Sequence, residues 1–388
     1  MPAPRFTSTD MLAKLVAFDT TSRNSNLELI GFVQDYLSAY GVASTLVHDE
    51  TGQKANLWAT IGPDVAGGVV LSGHTDVVPV DGQPWETDPF VLTDKGDGRL
   101  YGRGTCDMKA FSAVALAMLP DFAAAPLKTP VHLALSYDEE VGCIGVHGLI
   151  DHIRKIGARP RLAVIGEPTM MRVVDAHKSI RSYSVTITGH EAHSSNVHKG
   201  VSAVMVAAEL IGKISQIGER LRATGDSTNR FDPPFSTSIA NTISGGTAQN
   251  ILARDCRFTF EIRGLPQDDL DKAFEEFRSF AMETVLPRMR AAADTADIVI
   301  KRRAYSPPLK ADPGSDAESF VMALAERNAA EAVSYGTEAG IFQEAGIPAI
   351  VCGPGDIAQA HQPNEFLDKA QIPLCEAFMR RLIARLAA

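Results

Sequence analysis

At 388 residues the chain is longer than one hydrophobic core usually serves, so two domains are expected. A formal net charge of -10 without any block of Lys and Arg argues against a nucleic-acid surface. No apolar run reaches the roughly 18 residues of a membrane span, and 45% hydrophobic with 22% charged residues is the balance of an ordinary soluble protein.

The opening "MPAPRFTSTDML" lacks the apolar region of a signal peptide, which makes a cytoplasmic location the expectation. "TDMLAKLVAF" and "LELIGFVQDYLSAYG" carry helical spacing, the second closed by Gly41 as a C-cap. "NLWATIG", "GGVVLSGHTD", "VHLALSYDEE" and "RLAVIGEPT" are short apolar runs that each stop at polar residues. "DMKAFSAVALAMLPDF" reads as a buried crossover helix ended by Pro120. Strands alternating with helices predict an α/β fold whose mostly parallel sheet is covered by helices on both faces.

After Lys178 the pattern changes. "RSYSVTITG" alternates polar and apolar, "GVSAVMVAAELIGKISQIGERL" is amphipathic, and "STSIANTISGG", "CRFTFEIRG", "LDKAFEEFRSFAMETV" and "ADIVIKRRA" follow. The order β-α-β-β-α-β predicts a two-layer insertion over residues 180–305, within a discontinuous domain of residues 1–179 and 306–388. "SDAESFVMALAERN", "AIVCGPG" and a closing helix complete that domain. The five cysteines, Cys106, Cys143, Cys256, Cys352 and Cys375, are scattered and never spaced C-x-x-C, which fits reduced packing thiols better than disulfides or a thiolate metal site.

Polar residues gather where the predicted strands end. His74 and Asp76 follow "VVLSG", Asp107 follows "YGRGTC", Glu139 and Glu140 follow "LALSYD", and Glu167 follows "AVIG". Taken singly, each has a plain alternative, such as a satisfied His-Asp pair or a solvated acidic turn. Taken together they point to a site, because open α/β sheets bind ligands outside the carboxyl ends of their strands. Several carboxylates cannot share a pocket in ionised form without cations. Carboxylate and imidazole without thiolate suit zinc, cobalt or manganese, and a pair of such ions suits hydrolysis. The loop "GPGDIAQAHQPNEF" supplies a further histidine, His361.

The segments "SGHTDVVPV", "YGRGTCDMK", "SYDEEVGCIG", "IGEPT", "GHEAHSS" and "QAHQPNEF" resemble the metal-dependent aminoacylase and carboxypeptidase family (M20 type), in order and over nearly the whole chain. "GTEAG" with "GPGDIAQAHQPNEF" looks most like its acetylornithine deacetylase branch. The resemblance implies two divalent ions per chain, most simply zinc, with His74 and Glu167 completing one position, Glu140 and His361 the other, and Asp107 bridging. It implies that Asp76 orients His74 through the other ring nitrogen and that Glu139 moves the proton. In the insertion, His193 matches the residue that polarises the scissile carbonyl from a dimer partner, while Asn250 and Arg263 match substrate-holding positions. A turn residue and a solvated strand-end cation are the plain alternatives for those last two. The insertion is thus expected to serve as lid and homodimer contact, and the partner to be a small N-acyl amino acid.

Rival readings are weaker. "HEAH" is one residue short of H-E-x-x-H, no G-x-S-x-G exists, and "GRGTCD" is a poor dinucleotide fingerprint. An inactive metal-binding scaffold would be expected to have lost Glu139 or a ligand. The expected substrate is N2-acetyl-L-ornithine, with a succinyl-diaminopimelate desuccinylase or a broader N-acyl-L-amino-acid hydrolase as the alternative. Glu338 in "YGTEAG" is the candidate partner for a substrate cation, its plain alternative being a solvated or capping residue.

Overall fold

The structure, a computed structural model, describes residues 3–388 and divides into two units. The first comprises the chain up to Ala176 together with Leu309–Ala332 and Thr337–Ala388; the second comprises His177–Pro308 and Val333–Gly336.

An eight-stranded sheet organises the first unit. Its strands run in the order Ser44–His48, Ala55–Ile61, Val131–Ser136, Val69–His74, Leu162–Ile165, Ala349–Val351, Val173–His177 and Ala330–Val333. The four central strands, from Val131–Ser136 to Ala349–Val351, are mutually parallel. Outside them, Ala55–Ile61 and Ser44–His48 run antiparallel, as does Val173–His177 against Ala349–Val351, so the sheet is mixed with a parallel centre. Every residue of Val69–His74, Val131–Ser136 and Leu162–Ile165 is buried, which is why these runs read as continuous rather than alternating hydrophobic stretches. Helices Ser8–Val16, Lys109–Ala117, Asp316–Ala325 and Gln371–Ala387 contribute to the same apolar core as these strands. Each large side chain in that core is worth about 1.5–3 kcal/mol of burial, and the result is a stiff platform.

Local signals place the elements. Thr7 and Asp10 form a reciprocal capping box on Ser8–Val16, and Gly41 takes φ 72 just past Leu27–Ala39. Pro120 is a correction. It does not end the crossover helix; the break falls at Met118, and Pro120 sits in the first turn of a second helix, Leu119–Ala124, where a missing N–H costs no hydrogen bond. Among the described residues no helix is long and apolar enough to cross a membrane. All five thiols are buried and unpaired.

The second unit is the β-α-β-β-α-β insertion. Its antiparallel sheet has the order Thr237–Gly245, Asp255–Gly264, Ser179–Thr188, Asp297–Ser306. Helix Ala203–Ala223, N-capped by Ser202, and the helical run Leu270–Ala292, which passes through a π-turn at Phe280–Val285, supply the other layer of a separate core. Along Asp255–Gly264 buried and open residues alternate, with Phe258, Phe260 and Ile262 facing the helices.

Two buried histidines make stability pH-dependent. His132 stacks on Trp58 with ring centroids 4.7 Å apart, and its Nδ1 lies 3.0 Å from Thr60 Oγ1. Burial pushes both its imidazole and that of His177 down to about 4. An unfolded histidine takes a proton near pH 6.5, whereas these do not until about pH 4. Their contribution is therefore whole above about pH 6.5 and is lost as pH falls toward 4, about 3 kcal/mol for His132 alone. His132→Phe keeps the stacking and should flatten this slope in urea unfolding measured between pH 7 and 4.5. An unchanged slope would assign the acid sensitivity to other groups.

Candidate metal centre

The parallel centre of the sheet delivers the polar residues to one end. Val69–His74 is extended, buried and aliphatic until its last residue, so His74 emerges at the carboxyl end of a central strand. The chain is pinned there by Thr75, whose N–H and hydroxyl both donate to the carbonyl of Ser136 at the end of the adjacent strand. Beyond Ser136 the chain reaches a turn with Asp138 at φ 57, closed by the N–H groups of Gly142 and Cys143 on the Glu139 carbonyl at 2.8 Å each, and this turn carries Glu139 and Glu140. Leu162–Ile165 passes through Gly166 to Glu167. A Cβ at Gly166 would lie 2.0 Å from the Phe111 ring, so only glycine lets the strand end meet the crossover helix. Asp107 precedes helix Lys109–Ala117, and His361 lies in the loop after Ala349–Val351 with φ 63.

These side chains converge. His74 Nε2 lies 3.0 Å from Asp107 Oδ1 and 3.8 Å from Glu167 Oε1. His361 Nε2 lies 3.3 Å from Asp107 Oδ2 and 2.9 Å from Glu140 Oε2. Asp107 thus turns one oxygen to each histidine. Ligand atoms of His74, Glu139 and Glu167, and separately of His74, Asp107 and Glu140, all fall within 4.8 Å of one another.

Packing so many acids together distorts their protonation. Burial pushes Glu139 and Glu167 well above the usual carboxyl range and Glu140 up to about 7, with the charge of Asp107 adding to each. Burial would depress the His74 imidazole, yet the Asp107 hydrogen bond and the charges of Glu167 and Glu139 hold it well above its ordinary value. His361 is raised to about 10 by its bonds to Asp107 and Glu140. Burial would raise Asp107 too, but the two imidazoles hold it below the carboxylate range. Divalent cations bound among these groups would neutralise the carboxylates and replace such protons.

The residues fit metal ions on the evidence of their own geometry. Glu140 Oε1 is buried without a hydrogen-bond partner, as a ligand oxygen awaiting a cation would be. The donors are imidazole and carboxylate with no thiolate, a set that suits first-row divalent metals.

Two expectations need correction. Asp76 does reach His74 Nδ1, but through its main-chain carbonyl at 2.9 Å, its Oδ1 lying at 3.7 Å. The carboxylate is engaged instead by the N–H groups of Glu139 and Glu140, at 3.1 and 3.3 Å, and by the Ser22 hydroxyl at 2.7 Å. Asp76 therefore orients the imidazole with its backbone and the acidic turn with its side chain, and a carbonyl serves a ligand histidine as well as a carboxylate does. Glu338 is neither solvated nor on an open pocket wall. It is 1% exposed, takes the Ser136 hydroxyl at 2.6 Å, and is pushed up to about 7 by burial. Its carboxyl is turned to Ser136 and packed near His74 and Asp76 rather than held in solvent.

His193, Asn250 and Arg263 all belong to the second unit. His193 Nδ1 faces the N–H and hydroxyl of Ser195, and the Ser194 N–H donates to the Asn250 carbonyl at 2.9 Å, so these two residues share one turn region. Arg263 lies on strand Asp255–Gly264 with its Nε 3.0 Å from Glu261 Oε1. Sequence reasoning missed Ser22, Ser136 and Cys143, the last donating its thiol to Glu139 Oε1 at 3.4 Å. Nothing local marks a serine or a cysteine for such work; only the folded sheet brings them to the carboxylates.

The comparisons agree with this architecture. Residues 70–385 match the model of peptidase family M20/M25/M40. The chain belongs to that family. It is a metallo-hydrolase acting on amides, and the matched span contains His74, Asp107, Glu139, Glu140, Glu167 and His361. The acetylornithine deacetylase of Myxococcus xanthus is 36% identical over 389 residues, covering 99% of this chain and 97% of the relative. The acetylornithine deacetylase of Proteus mirabilis is 35% identical, with 95% and 92% covered. Among solved structures, the M20 family metallo-carboxypeptidase Sso-CP2 of Sulfolobus solfataricus shares the fold at a TM-score of 0.76 and 16% identity, covering 98% of this chain and 99% of that one. The Bacillus subtilis YXEP protein, described as a dinuclear metal binding peptidase from the M20 family, matches at a TM-score of 0.59 and 15% identity, with 97% and 98% covered.

Proposed function

We propose that this M20 protein hydrolyses N2-acetyl-L-ornithine to L-ornithine and acetate, a step that would serve arginine biosynthesis in the cytoplasm. The observation that carries the choice of substrate is the nearly full-length likeness to two acetylornithine deacetylases. What supports the reaction is the double cluster around Asp107.

Two divalent ions, zinc before cobalt or manganese, would be held by His74 and Glu167, by Glu140 and His361, and by Asp107 between them. When bound, such ions supply Lewis acidity that polarises an amide carbonyl and makes water a nucleophile near neutral pH. The chain's own groups do the rest. Glu139, buried beside His74 and raised in pKa by that burial, accepts the proton that water gives up and returns it to the leaving amine nitrogen. Cys143 Sγ and the Asp76 carboxylate fix where Glu139 stands, the first through a side-chain oxygen and the second through the main chain. Arg263 offers a planar fork for the substrate α-carboxylate, Asn250 an amide, and His193 a donor to the scissile carbonyl of the neighbouring subunit in a homodimer built on the inserted unit.

Side-by-side kinetics test the substrate. N2-acetyl-L-ornithine should exceed N-succinyl-LL-diaminopimelate in kcat/KM by about tenfold or more, equivalent to about 1.4 kcal/mol in the transition state. A higher value for the succinyl compound would make the protein a desuccinylase. Comparable turnover of N-acetyl-L-methionine would make it a general N-acyl-amino-acid hydrolase.

A further inference from the structure

The segments carrying Asp107 and His361 are far apart in sequence but lie side by side, because strand Arg99–Tyr101 pairs antiparallel with Phe366–Asp368. The side chain of Glu365, 1% exposed, joins them. Its Oε1 accepts the main-chain N–H of Cys106 at 2.8 Å and that of Asp107 at 3.1 Å. Its Oε2 accepts the N–H of Gly104 at 3.0 Å and Arg103 Nη1 at 2.8 Å. Arg103 is equally buried; its Nη1 also reaches the Gln362 carbonyl at 3.3 Å, and its Nη2 donates to Gln83 Oε1. Gln83 Nε2 in turn donates to the carbonyl of His361 at 3.0 Å. Each oxygen of the carboxylate therefore meets two donors, which is what allows an ion pair to be buried at all.

The need for such a clasp is uneven across the cluster. The side chains of His74, Glu167, Glu140 and Asp107 are 1%, 5%, 6% and 7% exposed, so packing locates them. His361 is 53% exposed at the side chain and sits in the left-handed region. Beyond its contacts with Asp107 and Glu140, that imidazole has little packing to locate it and relies on the backbone of its loop.

We propose that Glu365, with Arg103 and Gln83, is a positioning residue that holds His361 against Asp107 and so sets the affinity of one metal position, that of Asp107, Glu140 and His361. The three residues act through the main chain of 104–107 and 361–362 rather than through the ligand atoms. The inference rests on the metal-centre reading above.

Equilibrium dialysis of the full chain against buffered free zinc, with metal and protein both quantified, tests it. The wild type should take up two ions. Glu365→Gln keeps the shape but removes the charge that faces Arg103; it should retain the first ion and weaken the second by about 10- to 100-fold, the range for partners that act behind a ligand. Gln83→Ala keeps the Arg103–Glu365 pair but removes the tie to the His361 carbonyl and the acceptor of Arg103 Nη2, and it should weaken the same ion less while the first ion is retained. Unaltered uptake by folded Glu365→Gln would overturn the clasp, and so would loss of both ions in step, which marks a residue that supports only the fold. Should Glu365→Gln not fold, Gln83→Ala decides, and an undisturbed second ion there overturns the proposal. A wild type that takes up fewer than two ions overturns the metal-centre reading and the clasp with it. Two ions in the wild type and in both variants overturn the clasp alone.

Discussion

Glu139→Gln should lower turnover by about 10²- to 10⁴-fold while leaving metal content at the wild-type level, the loss expected when a general base is removed. Glutamine keeps the size of the side chain and its place beside His74, but it cannot take a proton from water. The neighbouring Glu140→Gln should behave differently, because its carboxylate approaches His361 at 2.9 Å and its other oxygen is buried without a partner. That variant should lose metal affinity first and turnover as a consequence. Elemental analysis beside steady-state kinetics separates the two. If Glu139→Gln lost an ion along with its activity, Glu139 would be a ligand, an arrangement its closeness to His74 and Glu167 permits. Near wild-type turnover would hand the proton transfer to another group.

His193→Ala should cost about 2.7–4 kcal/mol in the transition state, a fall in kcat of about 10²- to 10³-fold, if the imidazole is a donor to the developing oxyanion. Metal content should not change, since His193 belongs to the inserted unit and the cluster to the other. A donor supplied by a neighbouring subunit has a further consequence. Mixing inactive His193→Ala chains with inactive Glu139→Gln chains should restore part of the activity, because one site of each heterodimer keeps both groups. Exchange of subunits verified by mass, without recovery, would remove the action in trans and leave His193 a role within its own chain or none.

Much of this molecule is legible before folding is considered. The runs "GGVVLSGHTD", "VHLALSYDEE" and "RLAVIGEPT" announce central strands, since a strand buried on both faces must be apolar throughout and must turn polar where it leaves the sheet. The change to alternation in "RSYSVTITG" marks a strand with one open face, and the structure has it in the antiparallel sheet of the second unit. Short elements were not legible. Ser44–His48 and Ala330–Val333 are short and partly exposed strands at the two edges of the sheet, and what makes them strands is the neighbour they pair with rather than any period of their own.

The candidate site divides in the same way. The sequence by itself determined which residue types could serve: His74, Asp107, Glu139, Glu140, Glu167 and His361 stand at strand ends or in Gly/Pro-rich loops, where side-chain chemistry rather than packing explains them. Only the tertiary structure decided what each neighbour does. That Asp76 reaches His74 with a carbonyl and the acidic turn with its carboxylate follows from how the chain leaves Val69–His74 beside the turn after Val131–Ser136. That Glu338 is enclosed, and that Glu365 receives N–H groups from Gly104, Cys106 and Asp107, follows from which segments the sheets lay side by side. Hydrophobic period is a local property, written every two or four residues along the chain, whereas a hydrogen bond between distant segments has no local trace.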